Sequence, residues 1–268
     1  MKNFEGKTVF VSGGSKGIGL AAAKRLAGEG ASVFLAASSA ERLSASSDAV
    51  QALGSGDVDY HAADLRTEEG CNAAVAACLE RFGGCDIFVH SAGATKGGIF
   101  PSQPDEDMID GFALKFHAAT RLSRALWPSL KESHGTVVNV VGGFARTPAA
   151  DFMVGGAVNA ALANFTKALA EKGLIDDVNV TWIHPGLTTT ERLDTIFADK
   201  AEQQNKPVDQ IQEEAVASEG IRRLGRPEDV AELIAYLCSP AGRHIHGTGI
   251  SIDGGGARGT GNGGRAHQ

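Results

Sequence analysis

The chain has 268 residues, 43% hydrophobic and 21% charged, with 25 lysines and arginines against 32 aspartates and glutamates. That length fits one large domain with a sizeable core, and a formal net charge of −7 at pH 7 argues against a general nucleic-acid or anionic-membrane binder. No apolar run approaches the ~18 residues of a membrane span, Met1–Glu5 has no signal-peptide core, and a cytoplasmic compartment is the expectation.

Apolar strands alternate with longer helical stretches. Lys7–Ser12 reads as a buried strand, followed by a helix from about Ile18 to Gly28. Ala31–Ala36 is the next strand, Ser39–Leu53 a helix and Asp57–Ala62 a strand. Thr67–Phe82 is helical, Ile87–Val89 is a strand, and Asp105–Leu130 is one long helical region. Thr136–Val141, a helix over Gly156–Lys172 and Val178–Ile183 continue the pattern, which closes with a helix over Pro227–Ser239 and a strand over Gly249–Ile252. The alternation predicts an α/β fold: a doubly wound parallel-sheet Rossmann fold in a single domain over residues 1–256. Its ligand crevice lies beyond the carboxyl ends of the strands. Residues 190–222 read as a substrate cover, where Phe197, Val208, Ile211 and Val216 mix with Glu202, Glu213 and Glu214 to suit an amphipathic helix pair. Residues 257–268 read as a flexible glycine-rich tail. Cys71, Cys78, Cys85 and Cys238 show no disulfide or metal-ligand spacing and read as small, mostly buried thiols; no metal is expected.

Gly13-Gly14-Ser15-Lys16-Gly17-Ile18-Gly19 lies directly between the first strand and the first helix. Gly13 permits the turn, Gly17 keeps bulk away from a pyrophosphate, and Gly19 lets helix and strand approach closely. The helix N-terminus then offers amide donors to phosphate. The end of the second strand, Leu35-Ala36-Ala37-Ser38-Ser39, has no carboxylate for a ribose 2′-hydroxyl, whereas Lys16 suits a 2′-phosphate with Ser38 and Ser39 adding hydrogen bonds. NADP(H) is therefore the expected cofactor, although the usual second arginine is missing and NAD(H) stays open.

The glycine spacing, three residues and then one, resembles that of the short-chain dehydrogenase/reductase family. Asp64-Leu65, His90-Ser91-Ala92-Gly93, Pro185-Gly186 with Thr188 to Thr190, Leu224-Gly225-Arg226-Pro227 and Ile252-Asp253-Gly254-Gly255 extend the resemblance from about Phe4 to Gly256. It implies a cofactor-binding set of Gly13, Ser15, Lys16, Gly17, Ile18, Gly19, Ser38, Asp64, Leu65, Ala92, Gly93, Asn159, Pro185, Gly186, Thr188 and Thr190. It also implies a small-molecule substrate and a homodimer or homotetramer paired through the helices Asp105–Leu130 and Gly156–Lys172.

The family's chemistry uses a tyrosine as proton donor, a lysine four residues later, a serine thirteen residues before the tyrosine, and an asparagine in the preceding long helix. Alignment through Asn159-Ala160-Ala161-Leu162 places Gly142, Gly155 and Asn159 at the serine, tyrosine and lysine positions, and Lys115 at the asparagine. The two tyrosines, Tyr60 and Tyr236, lie elsewhere in the topology. By subtraction, His90, Lys115 and Asn159 are the candidate catalytic residues, with Asp151 and His184 at the rim. His90 also has a structural reading as a backbone-bonded side chain, and Lys115 as a solvated or paired one at a helix–helix interface. The expected activity is an atypical NADP-dependent oxidoreductase acting on a carbonyl, alcohol or conjugated substrate through a relocated proton donor. A non-redox isomerase, lyase or cyclase on the same fold, and a catalytically silent nucleotide-binding subunit, are the alternatives.

Overall fold

The computed structural model describes residues 3–53 and 56–256, so the expected tail over 257–268 lies outside the described residues. The strands are β1 (Thr8–Ser12), β2 (Ser32–Ala37), β3 (Val58–Ala62), β4 (Ile87–His90), β5 (Thr136–Val140), β6 (Asn179–Pro185) and β7 (Gly249–Ile252). They form one parallel sheet in the order β3-β2-β1-β4-β5-β6-β7. The order reverses direction between β1 and β4, where Ser12 stands beside His90. That reversal opens a crevice at the carboxyl ends of these strands.

Side chains alternate across the sheet because successive strand residues point to opposite faces. Val9, Val11, Val33, Leu35 and Val89 pack on one face with Ala22, Ala23 and Leu26 of α1 (Gly17–Gly28) and Val230 and Ile234 of α9 (Pro227–Cys238). Phe10, Phe34, Phe88 and Val137 fill the other face against α3 (Glu68–Phe82) and α5 (Ala118–Glu132). Cys71, Cys78 and Cys85 are buried thiols there, while Cys238 is only partly covered. α2 spans Ala40–Gln51 and is capped by Ser39, whose Oγ accepts from Arg42 N at 3.3 Å. That bond satisfies one of the free amides of the first turn.

The long helical region is continuous but not uniform. α4 (Asp105–Gly111) passes through a π-helical turn over Phe112–His117 into α5. α6 runs from Met153 to Asp176, starting before its expected Gly156 and swallowing both glycines of the Gly155-Gly156 pair. Within residues 190–222, expected as a substrate cover, lies a helix pair, α7 (Glu191–Gln204) and α8 (Val208–Glu219), which share a small apolar cluster of Leu193, Phe197, Ala201 and Ile211. Among the described residues no helix is long and apolar enough to cross a membrane.

Candidate active site

The crevice begins at the glycine turn after β1. Gly13 adopts φ +71°, and a Cβ on Gly19 would lie 2.3 Å from the Gly13 carbonyl oxygen, so only glycine allows the helix to start this close to the strand. The cradle suits a dinucleotide's pyrophosphate at the N-terminus of α1. Ser15 is anchored through its carbonyl, which accepts from Ser46 Oγ at 2.9 Å, and Ile18 packs against the core. Ala92 and Leu65 are buried, while Ser38 and Asp64 are exposed. Asp64 Oδ1 accepts from Arg66 N at 3.0 Å.

Lys16 is not the lone cation at the adenosine end. Its Nζ lies 2.9 Å from Glu191 Oε2, and Arg42 Nη1 lies 3.2 Å from the same oxygen. Arg42, although not the family's usual second arginine, thus stands beside Lys16 through a shared carboxylate. Its sequence signal is the capping pattern: Ser39 at the N-cap turns the third residue of α2 back over the end of β2. Glu191 follows Thr190, whose Oγ1 caps α7 by accepting from Leu193 N at 3.4 Å. Thr188 is buried and donates to the Gly186 carbonyl at 3.0 Å. These contacts set Pro185, Gly186, Thr188 and Thr190 in one strap between β6 and the cover.

His90, expected at the cleft, is fully buried. Its Nε2 lies 2.9 Å from the Lys115 carbonyl oxygen, and its Nδ1 2.8 Å from Ser12 Oγ. Nε2 donating and Nδ1 accepting satisfies both contacts with one neutral tautomer. Burial pushes the imidazole down to about 3, so the ring stays neutral at pH 7 with both nitrogens occupied. Its visible work is to bind the carbonyl of Lys115 within the π-turn, where the usual helical pairing is displaced.

Lys115 projects from that turn. Its stem packs over Gly93, where an added Cβ would come within 2.9 Å of Lys115 Cδ, and its Nζ donates to the Val141 carbonyl at 2.5 Å. Desolvation, assisted by the positive charge of Arg192, pushes the amine down to about 7. The adjoining residue, Gly142, has φ +116°, a conformation in which a side chain is strained. The Gly142 carbonyl accepts from His184 Nδ1 at 2.9 Å, and His184 Nε2 accepts from Trp182 Nε1 at 2.9 Å. His184 is thus a buried clamp, not a rim group, and burial lowers its basicity. Asn159 is buried beside Gly142: a Cβ there would be 3.1 Å from Asn159 Nδ2. Asn159 Oδ1 has no protein hydrogen-bond partner. An orphaned buried oxygen of this kind suits a ligand hydroxyl, such as a ribose hydroxyl.

The site's third element escaped sequence reasoning. A Cβ at Gly155 would lie 1.9 Å from Phe152 Cε1, so the Phe152 ring occupies the ground over this glycine. Phe144 packs against Phe152 with ring centroids 4.8 Å apart and the ring planes tilted by 53°. Phe152 precedes the first residue of α6 with φ −140° and ψ 38°, so helical spacing gives no signal for this contact. Asp151 is exposed, and its carbonyl accepts from Gly98 N at 3.0 Å. That bond and a parallel bridge between Gly98 and Phe152 draw the loop after β4 against this wall. On the opposite side, Arg192 Nη2 donates to the Thr95 carbonyl at 2.6 Å.

A family model described as Enoyl-(Acyl carrier protein) reductase matches residues 13–256. An uncharacterized oxidoreductase of Mycobacterium tuberculosis is 32% identical over 257 residues, spanning 95% of this chain and 94% of that one. The 3-oxoacyl-(acyl-carrier-protein) reductase FabG of Vibrio cholerae is 30% identical over 257 residues, spanning 94% of this chain and 98% of its own. Among solved structures, L-sorbose reductase from Gluconobacter frateurii, complexed with NADPH and L-sorbose, aligns with a TM-score of 0.91 at 29% identity over 96% of this chain and 99% of that chain. A short-chain dehydrogenase from Burkholderia cenocepacia in complex with NADP aligns with a TM-score of 0.85 at 33% identity over 96% of this chain and 100% of that chain.

Proposed function

The chain belongs to the short-chain dehydrogenase/reductase family, and from that premise we propose that it is an NADP(H)-dependent oxidoreductase whose proton donor is Lys115 instead of a tyrosine. The NADP(H) assignment draws on the glycine cradle, on Lys16 and Arg42 gathered at the adenosine end, and on relatives solved with NADPH or NADP. When bound, the cofactor supplies the hydride.

The rest is done by this chain's own side chains. Gly142, Gly155 and Asn159 stand where the family's serine, tyrosine and lysine are expected, so none of those three can carry a proton. Asn159 Oδ1 accepts from a ribose hydroxyl, which answers its lack of a protein partner. Lys115 holds a proton at Nζ and delivers it to the substrate oxygen as negative charge develops there. The single observation that carries this reading is the Lys115 amine: it is bonded to the Val141 carbonyl at 2.5 Å, and desolvation holds it at about 7. An ammonium of that acidity is a far better proton donor near neutral pH than an ordinary lysine. His90 acts on this group as a positioning residue through the Lys115 carbonyl.

Two measurements test the reading. Lys115→Met should lose roughly 100-fold or more in carbonyl reduction, the usual scale of a general acid, while NADPH still binds. Because the protonated amine is the donor, the wild-type rate of reduction should fall as pH rises through about 7. Full turnover by Lys115→Met, or a flat profile between pH 6 and about 8.5, would exclude Lys115 as the donor.

A further inference from the structure

The proton chemistry leaves two features of the cleft unused. One is an arginine with no acidic partner, and the other is an aromatic pair. Arg192 Nη2 donates to the Thr95 carbonyl at 2.6 Å and lies 3.5 Å from Thr95 Oγ1. Among the described residues no carboxylate pairs with it. Its neighbours are neutralised: Glu191 is taken by Lys16 and Arg42, and Lys96 on the same loop is paired with Asp107 at 2.9 Å. The guanidinium nevertheless suffers desolvation, and its charge is close enough to weigh on the Lys115 amine. The charges of Arg192 and Lys115 therefore oppose each other, and among the described residues no carboxylate pairs with either, an arrangement that an anionic ligand relieves.

The wall of the same cleft is Phe152 and Phe144, ring centroids 4.8 Å apart, held by the bridge between Phe152 and Gly98. Ile99 and Phe100 extend it as exposed apolar side chains. Glycines at 97, 98, 142 and 143 add no side-chain donors. A polyhydroxylated ligand would find few side-chain partners there, whereas a flat apolar group has a surface to lie on.

We propose that this site takes a planar aromatic or conjugated substrate bearing a carboxylate, with Arg192 as the carboxylate's partner and the Phe144–Phe152 pair as the face against which the planar part rests. Nη2 gives one of its two hydrogens to Thr95, so one edge of the guanidinium, made by its second hydrogen with Nε or Nη1, stays open for a two-point contact that fits the two oxygens of a carboxylate. The proposal takes its carbonyl-reducing step from the proposed function, but the binding it predicts stands apart from turnover.

The test uses calorimetric titration of the full chain loaded with NADP+, with benzoate as the probe and benzamide as its uncharged control. Benzoate should bind about tenfold or more tighter than benzamide, as expected for a charge-assisted two-point contact. The advantage should vanish in Arg192→Gln and persist in part in Arg192→Lys. Equal binding of the two probes, a benzoate advantage that survives Arg192→Gln, or tighter binding of phenyl phosphate than of benzoate would overturn the assignment. Oxidation of NADPH with benzoylformate and with its methyl ester separates this inference from the reading beneath it. Arg192-dependent benzoate binding without reduction of either ketone overturns the reductase and supports the anion site. Reduction of the ester without measurable benzoate binding overturns the anion site alone.

Discussion

Gly155 shows how far one hydrogen atom in place of a methyl can set a site. In a helix interior, alanine ordinarily improves on glycine by about 0.5–1 kcal/mol. Here the added carbon would sit 1.9 Å from Phe152 Cε1 and 2.2 Å from its Cζ. Overpacking of that kind costs about 1–3 kcal/mol and outweighs the helical gain. Gly155→Ala should therefore lower the urea midpoint, and adding Phe152→Ala should recover part of the loss, because the two positions are coupled. A Gly155→Ala variant more stable than wild type would show that the ring moves freely. The same contact bears on restoring the usual chemistry. Gly155→Tyr with Asn159→Lys must displace Phe152 and brings a second ammonium toward Lys115, which opposes its protonation. That double variant should oxidise NADPH with simple ketones at no more than a small fraction of an ordinary reductase's rate. Vigorous turnover would show that the pocket accepts the tyrosine after all.

The first turn of α7 faces both ends of the crevice. Glu191 reaches Lys16 and Arg42 beside the adenosine end, while Arg192 reaches Thr95 on the loop after β4. A ribose 2′-phosphate must compete with the Glu191 carboxylate for the same two cations. Exposed ion pairs are worth about 0–1 kcal/mol each, so Glu191→Gln should tighten NADPH binding by about two- to tenfold. NADH binding should hardly change, and the gain should shrink at high salt. Weaker NADPH binding by Glu191→Gln, read by fluorescence titration, would mean that the carboxylate organises these cations for the phosphate. Much of this was legible in the chain. The alternation of strands and helices, the glycine turn and the helix pair of the cover follow from periodicity and spacing. The π-turn at Lys115 was not legible, because a wider turn leaves the apolar pattern of a long helix nearly intact. His90 could be placed at the end of β4, but spacing does not say that its ring turns inward to Ser12. Arg192 owes its place to a contact between elements distant in the chain, and Phe152 to one ring's rotamer, which local patterns do not record.

At the scale of the whole molecule, one contribution to stability toward acid lies where α5 meets the end of α6. The buried Asp176 carboxylate accepts from Lys172 Nζ at 2.7 Å and Trp127 Nε1 at 2.8 Å, with Lys131 Nζ at 3.1 Å. These donors hold it far below the usual carboxylate range. The folded state thus binds this proton less readily than the unfolded chain, whose aspartate titrates near ~3.9. The stabilisation is present above that pH and is lost as pH falls through and below it. Asp176→Asn should melt at a lower temperature at pH 7 and lose less on acidification; an unchanged melting profile from pH 7 down to about 3 would remove Asp176 from acid unfolding. The sheet order carries a different consequence. The glycine turn, Lys16 and Arg42 hang from β1 and β2, whereas Lys115, Gly142, Phe152, Gly155 and Asn159 hang from the connections around β4, β5 and β6. On the proposed function only Asn159 serves both sets, so the nucleotide half can be kept while the half proposed to do chemistry is rewritten. The way back is narrower. Tyrosine at 155 has no room until Phe152 is gone, and serine at 142 must accept a φ of +116°. Either replacement alone therefore meets a steric or backbone cost at its own position before it could contribute any chemistry.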